Sequence, residues 1–344
     1  MQKEIIEHGS LLDENGRLIE RGWARSLIRD YHRSDIKANP LRIKEWDYYL
    51  INDGHRALAL TIADNAYMGM YSVSWIDLDS GRETTNSVMT VLPMGKTGLP
   101  ETSVQGDVGF ANKDISLLFR NNGRERNLRV WMPAFRGEES IAADITLRDA
   151  PAESMVIATP YREDDKAFYY NQKINCMKAE GNVVCGSEVY SFASDSAYGV
   201  LDWGRGVWTY SNTWYWGSAS GTVDGHSFGF NIGYGFGDTT AASENVLVYD
   251  GHVHKLDQVV FHIPAGTDGK DDYLSPWHFT SNDKRFEMDF TPVLDRAADT
   301  NVLIIRSDQH QVFGRFSGRA VLDDGTVLQI KDLAGFAEKV RNRW

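Results

Sequence analysis

The sequence predicts an all-β protein, and three observations carry that prediction. From Trp46 onward, about twenty short runs rich in β-branched and aromatic residues follow one another at close spacing. Turn signals separate them, as at Asn52-Asp53-Gly54, Asp79-Ser80-Gly81 and Asn121-Asn122-Gly123. The stretch Asp202 to Asp238 then combines four of the ten tryptophans with nine of the thirty-one glycines, a mixture that a helix would not tolerate.

In chain order, residues 1–40 are polar and irregular, with Ala24 to Asp35 patterned as a short helix carrying Leu27, Ile28 and Tyr31 on one side. EWDYYLIN, HRALALTIAD, YMGMYSVSWIDL and RETTNSVMTVL then read as strands, and 93–103 as a breaker-rich loop. SIAADITLRD alternates cleanly, with Ile141, Ala143, Ile145 and Leu147 on one face. YYNQKINC puts Asn171, Lys173 and Asn175 on one face, and an inward lysine there needs a partner such as Asp202 or Glu287. About twenty strands exceed one small barrel, so the pattern calls for two barrels or one large β assembly. We divide the chain into an irregular segment (1–40), a first barrel (41–205) and a second (206–344). At the C-terminus, Asp332 reads as an N-cap, with Leu333, Phe336, Ala337 and Val340 on one face of a terminal helix.

If Glu180-Gly181 is a hairpin loop, Cys176 and Cys185 face each other across it; two thiols in small apolar strand positions are the simpler expectation. The net charge of −12 argues against nucleic acid and anionic membrane surfaces as partners, which demand a basic face. No apolar run approaches the roughly 18 residues of a membrane span, and no signal peptide is visible, so a cytoplasmic location is expected. No metal or cofactor is expected either. His252-x-His254 is the nearest approach to ligand spacing, and Gly233-Tyr234-Gly235-Phe236-Gly237 lacks the strand-to-helix context of a phosphate loop.

The glycine alternation in Asp202–Asp238 leaves one strand face open to close approach, so this stretch reads as strands lining a cavity with aromatic walls. Trp208, Trp214, Trp216, Asn231, Tyr234 and Asp238 are its candidate ligand contacts; simple barrel filling is the competing reading for any single ring. Asp202 and Arg205 converge if the segment is a turn, as a ligand site or as a structural clamp. A carboxyl walled by Trp203 and Trp208 would have its pKa raised, which makes Asp202 the first candidate acid. Glu287 and Asp289 share a strand face at roughly 6–7 Å, a spacing that fits paired carboxylate work or a solvated outer face. Asp308 and His310 share a face, with Gln309 and Gln311 on the other; His310 is a candidate proton shuttle, or a satisfied structural histidine.

The motifs GVLDWGRGVW (199–208), NTWYWGSASG (212–221), FGFNIGYGFGDTTAASEN (228–245), RFEMDFTPVLDRAA (285–298), SDQHQVFGRFSG (307–318) and IKDLAGFAEKVRNRW (330–344) occur in order. With YYNQKINCM and RIKEWDYYLIN, they resemble a family catalogued as a domain of unknown function. More distantly, the chain resembles the double-lipocalin proteins, a group with carotenoid hydratases (hydroxyneurosporene synthase-like), kievitone hydratase-like proteins and pericyclase-type cyclases. That resemblance implies two lipocalin-like (calycin) barrels and a cavity holding an apolar substrate without a cofactor. Asp202-Trp203-Gly204 is similar to an acidic-Trp-Gly element near that cavity, although Val200 and Leu201 stand where a histidine is usual. The expected function is small-molecule binding with acid–base catalysis, as a hydratase, isomerase or cyclase. A carbohydrate-active enzyme with tryptophan platforms and a non-catalytic binding protein are the alternatives.

Overall fold

A computed structural model describes residues 2–302 and 305–343. Gly9–Ser10 and Arg29–Asp30 form a small parallel pair of their own; nearly all the other strands fall in two antiparallel sheets. The first runs through Arg82–Val91, Met68–Asp77, Arg56–Asp64, Ile43–Asn52, Tyr198–Val207, Phe168–Cys185, Glu139–Arg148, Arg126–Arg136, Ser116–Asn121 and Val108–Ala111. Met155–Pro160 and Glu188–Phe192 also pair with Phe168–Cys185. The second sheet runs through His252–Lys255, Val246–Tyr249, His226–Tyr234, Ser211–Val223, Val327–Arg343, Ile305–Val321, Phe286–Val302, Trp277–Ser281 and Val259–His262.

Both sheets curl until distant strands meet. The Asn86 side chain donates to Ala134 O at 3.3 Å, and Phe261 N donates to the Tyr234 hydroxyl at 3.5 Å. Each curl encloses a core: Phe119, Leu128, Ile145 and Leu60 in the first, Phe230, Phe279, Phe290 and Phe316 in the second. The alternation in Glu139–Arg148 is realised, with Ile141, Ala143, Ile145 and Leu147 buried and Asp144 exposed.

The terminal helix is absent. Val327–Arg343 is instead a strand paired with Ser211–Val223 on one side and Ile305–Val321 on the other. Leu333 to Val340 is buried on both faces, one against the second core and the other against the first sheet, so a continuous buried run imitated a helical stripe. Asp332, read as an N-cap, has φ 51 where the ladder with the neighbouring strand shifts register. The expected Ala24–Asp35 helix is likewise missing: its span holds a bent chain, the Arg29–Asp30 strand and a single 3-10 turn at Arg33–Asp35. Among the described residues no helix is long and apolar enough to cross a membrane.

The cysteine hairpin is also corrected. Phe168–Cys185 is one 18-residue strand, and Glu180-Gly181 lies inside it rather than at a turn. A bulge between Ile174 and Met177, with Cys176 at φ 61, bends the strand so that it serves both the first core and the second sheet. Cys176 and Cys185 are both buried free thiols.

Tyr198–Val207 is buried on both faces along its whole length, which makes it the hinge of the architecture. Leu201, Trp203 and Arg205 turn toward the first core, where Trp203 meets Tyr31 and Tyr170 edge-on. Asp202 and Gly204 turn the other way, toward the second sheet. Two rings there, Tyr48 and Trp216, pack edge to face across the seam at 5.8 Å.

Candidate functional site

The seam between the sheets holds a buried polar cluster. Asp202 lies level with Tyr48 on one neighbouring strand and Lys173 on the other. Lys173 Nζ is 2.8 Å from Asp202 Oδ1, and Asn171 Nδ2 donates to the same oxygen at 2.6 Å. From the second sheet, the Trp216 ring covers the lysine, with Nζ 3.8 Å from its centre. Trp216 Nε1 donates to Asn231 Oδ1 at 2.7 Å, and Asn231 Nδ2 donates to the Glu244 carbonyl at 2.9 Å.

Glu244 is the group the sequence pattern did not single out. It follows a turn-rich segment, and its neighbour holds it in place: Asn245 Oδ1 accepts from Gly233 N at 2.7 Å. Its Oε2 accepts from the Tyr169 hydroxyl at 3.4 Å, while Oε1 is buried without a partner. Burial pushes its carboxyl up to about 7; Lys173 pulls it down and Asp202 pushes it up. Asn171 Oδ1 is a second buried oxygen here without a partner. On the far side of Trp216, Glu338 accepts from Trp214 Nε1 and from Gln311 Nε2, both at 2.9 Å. Burial raises the Glu338 carboxyl too. Gln311 continues to Arg296, which donates to Ser74 Oγ in the first sheet at 2.6 Å.

Of the residues expected from sequence, Asp202, Lys173, Trp214, Trp216, Asn231 and Gln311 meet in this seam, with Trp208 in the ring cluster beside it. Arg205 does not. Its segment is a strand rather than a turn, so an odd separation sends Arg205 to the opposite face. There it donates to Asp47 Oδ1 at 3.0 Å and to Pro100 O at 2.7 Å, with no access to the seam. Tyr234, Asp308 and His310 lie outside it, in the second sheet: the Tyr234 hydroxyl accepts from Phe261 N at 3.5 Å, and His310 is 2.6 Å from Asp295 and 3.2 Å from Asp308. Asp238 pairs with Arg162 at 3.1 Å near the surface, which holds its carboxyl down at about 2. Glu287 lies beside Arg319 on the strand face opposite the buried Phe286, Met288 and Phe290. Among the described residues no group of three or more His, Cys, Asp or Glu is placed to hold a metal.

The glycines serve close approach, but to the protein's own side chains. A Cβ at Gly204 would fall inside the Trp46 ring, and one at Gly233 would strike Glu244 Oε1. Trp46 is half-buried and packs against Trp208 at 5.8 Å and Tyr169 at 6.3 Å, which restricts how far its ring can give way. Gly204→Ala is therefore expected to cost about 3 kcal/mol of unfolding free energy, read by urea denaturation. In a Trp46→Leu background most of that cost should vanish; an equal cost in both backgrounds would place the strain elsewhere. A small pocket with about 10 Å³ of room, the space of one water, lies between the two sheets, lined by Leu50, Tyr198 and Val200 on one side and Ser218, Ser220 and Gly335 on the other.

Two curled antiparallel sheets sharing a polar seam make a double-lipocalin-like fold. A structure described as AttH from Nitrosomonas europaea superposes with a TM-score of 0.53 at 14% identity, covering 90% of this chain and 96% of that one. CghA, solved with Sch210972, superposes with a TM-score of 0.51 at 10% identity, covering 98% and 97%. Kievitone hydratase from Nectria haematococca aligns more weakly (TM-score 0.45, 10% identity, 91% and 92% covered) and adds nothing to the fold assignment. No curated protein matches the sequence. The chain belongs to the family described as Domain of unknown function (DUF2804), whose model matches residues 2–344.

Proposed function

We propose that the seam is the active site of a cofactor-free acid–base enzyme that acts on a small, mostly apolar molecule bearing a hydroxyl group or gaining one. The observation that carries this reading is Glu244: a fully buried carboxyl titrating near neutrality, beside a carboxylate that a lysine holds in place. Glu244 gives a proton to the reacting group, and Asp202, oriented by Lys173 and Asn171, takes one away. With Oε2 accepting from Tyr169, the Glu244 proton sits on Oε1, a donor without an acceptor in the protein, and Asn171 Oδ1 is an acceptor without a donor; a substrate hydroxyl or an added water would satisfy both. Trp216, Trp46 and Tyr169 wall the site and would stabilise positive charge developing on the substrate.

A sugar cleft is less well supported. Trp208 and Trp216 are buried and packed edge-on against other rings, so neither offers a free platform.

Native mass spectrometry of freshly purified wild type and Glu244→Gln protein tests the proposal. Both are expected to carry a small molecule, and the two molecules are expected to differ by the elements of water or to be isomers. The same compound in both forms would mean a carrier.

A further inference from the structure

One edge of the first sheet carries a strip of apolar side chains open to solvent. Met89 and Val91, on the edge strand Arg82–Val91, are 60% and 84% exposed; Leu92 and Met94, just beyond it, are 54% and 38% exposed. Leu92 N donates to Tyr67 O at 3.0 Å, and Lys44 Nζ donates to Asn65 O at 2.8 Å and to Leu41 O at 3.5 Å, so the segments around 41, 66 and 92 meet at one surface. Leu41 is exposed there as well. Methionine usage marks the same edge. Met132, Met155, Met177 and Met288 are buried, whereas Met68, Met70, Met89 and Met94 all lie here and none is buried. Unbranched, polarizable side chains adapt to partners of irregular shape.

Leu92 and Met94 stand at φ 52 and 51, a left-handed conformation that bulky residues rarely adopt. The backbone is thus strained where it holds large apolar groups in water, the reverse of what packing alone would select. The strip is also continuous with the seam. Met89 is level with Met70, Met70 with Ala63, Ala63 with Trp46 and Trp46 with Gly204 on successive strands, so all share one face. That row runs from the exposed edge to the rings of Trp46, Tyr169 and Trp208.

Charge selects the occupant. Segments 41–46, 64–70 and 88–97 carry two carboxylates, Glu45 and Asp64, and both are buried. Glu45 pairs with Arg33, and Asp64 accepts from Gly95 N at 2.7 Å and from Thr97 Oγ1 at 2.9 Å. The charges these segments leave at the surface are Lys96 and Arg42, whose guanidinium lies 5.4 Å from the centre of the exposed Tyr210 ring. On a chain of net charge −12, this face is locally basic. An apolar tip flanked by a tyrosine and by cations is the combination that a lipid surface accepts, with the ring at headgroup depth and the cations on phosphates.

We propose that this face docks the protein on a phospholipid bilayer, with Val91, Leu92 and Met94 entering the acyl boundary and Arg42 and Lys96 meeting headgroup phosphates. The docking does not depend on the chemistry proposed for the seam.

Flotation of the full chain with phosphatidylcholine vesicles containing about 20% phosphatidylserine tests it. At about 1 mM lipid, most of the wild type should rise with the vesicles. Val91→Asp and Leu92→Asp should each lower the partition coefficient by about tenfold or more, and Lys96→Glu by about fivefold, all with wild-type urea midpoints. Val189→Asp, at an exposed valine elsewhere on the first sheet, should bind as the wild type does. Wild type that stays in the buffer overturns the proposal, as does Leu92→Asp that binds no worse than Val189→Asp. A second copy as occupant would appear in sedimentation velocity as a dimer that Leu92→Asp dissociates, without vesicle binding, and that result overturns it too.

Discussion

Lys173→Met is expected to lower the unfolding free energy by about 3–5 kcal/mol, because it strands a buried carboxylate with no counter-charge. Lys173 and Asp202 are 2% and 8% exposed at their side chains, so water cannot take over the solvation of Asp202 once the ammonium is gone. Methionine keeps most of the stem packing and a sulfur contact to Trp216, which confines the loss to the charge. The double variant Lys173→Met/Asp202→Leu should recover much of the stability, since two apolar groups replace two buried ions. Urea denaturation of the four proteins measures this cycle. A single-variant loss below about 1 kcal/mol, typical of an exposed pair, would mean that the seam is wet and open.

The second large effect is a pH dependence that belongs to Glu244. Its folded carboxyl sits at about 7 against an ordinary value of 4.5, so between these values the folded state binds more protons than the unfolded chain. The stability this group contributes is therefore complete below about 4.5 and is lost as pH rises through 7, about 3 kcal/mol in all. Glu338, raised by the same burial, adds a loss of the same sign. Burial lowers the buried lysines Lys44 and Lys255 to about 7, and they act in the other direction, but only above that value, where the unfolded chain holds the extra proton. The window from 4.5 to 7 is thus free of them. Glu244→Gln should flatten the curve there and make the protein relatively more stable at about pH 8. Parallel curves for wild type and variant, from unfolding free energies across the range, would remove Glu244 from its buried, protonated state and the proposed acid with it.

Most of the seam was legible from alternation. The YYNQKINC pattern puts Lys173 and Asn171 on one face, and the same parity carries Trp214, Trp216 and Asn231 to it from the other sheet. Asp202 and Arg205 show where local reading stopped. As a turn they converge; as a strand they part, and only the pairing of Tyr198–Val207 with Ile43–Asn52 decides between the two. Glu244 sits in the connection just before Val246–Tyr249, where no periodicity operates, and only Gly233 and Tyr169, distant in sequence, give it a role. Glu338 was hidden by its own strand. Burial on both faces erased the period of two and left a stripe that reads equally well as a helix.

By itself, then, the sequence determined the β class, the positions of nearly all strands and the crowding of aromatic and polar groups around Asp202–Asp238, because these follow from backbone periodicity and turn chemistry within a few residues. The tertiary structure decided what those groups face. It joined the two sheets across a polar seam and placed His310 with Asp295 and Asp308 outside it. The physical reason is that side-chain direction is a local property of a strand, whereas the partner across a seam is chosen by sheet pairing between segments far apart in the chain.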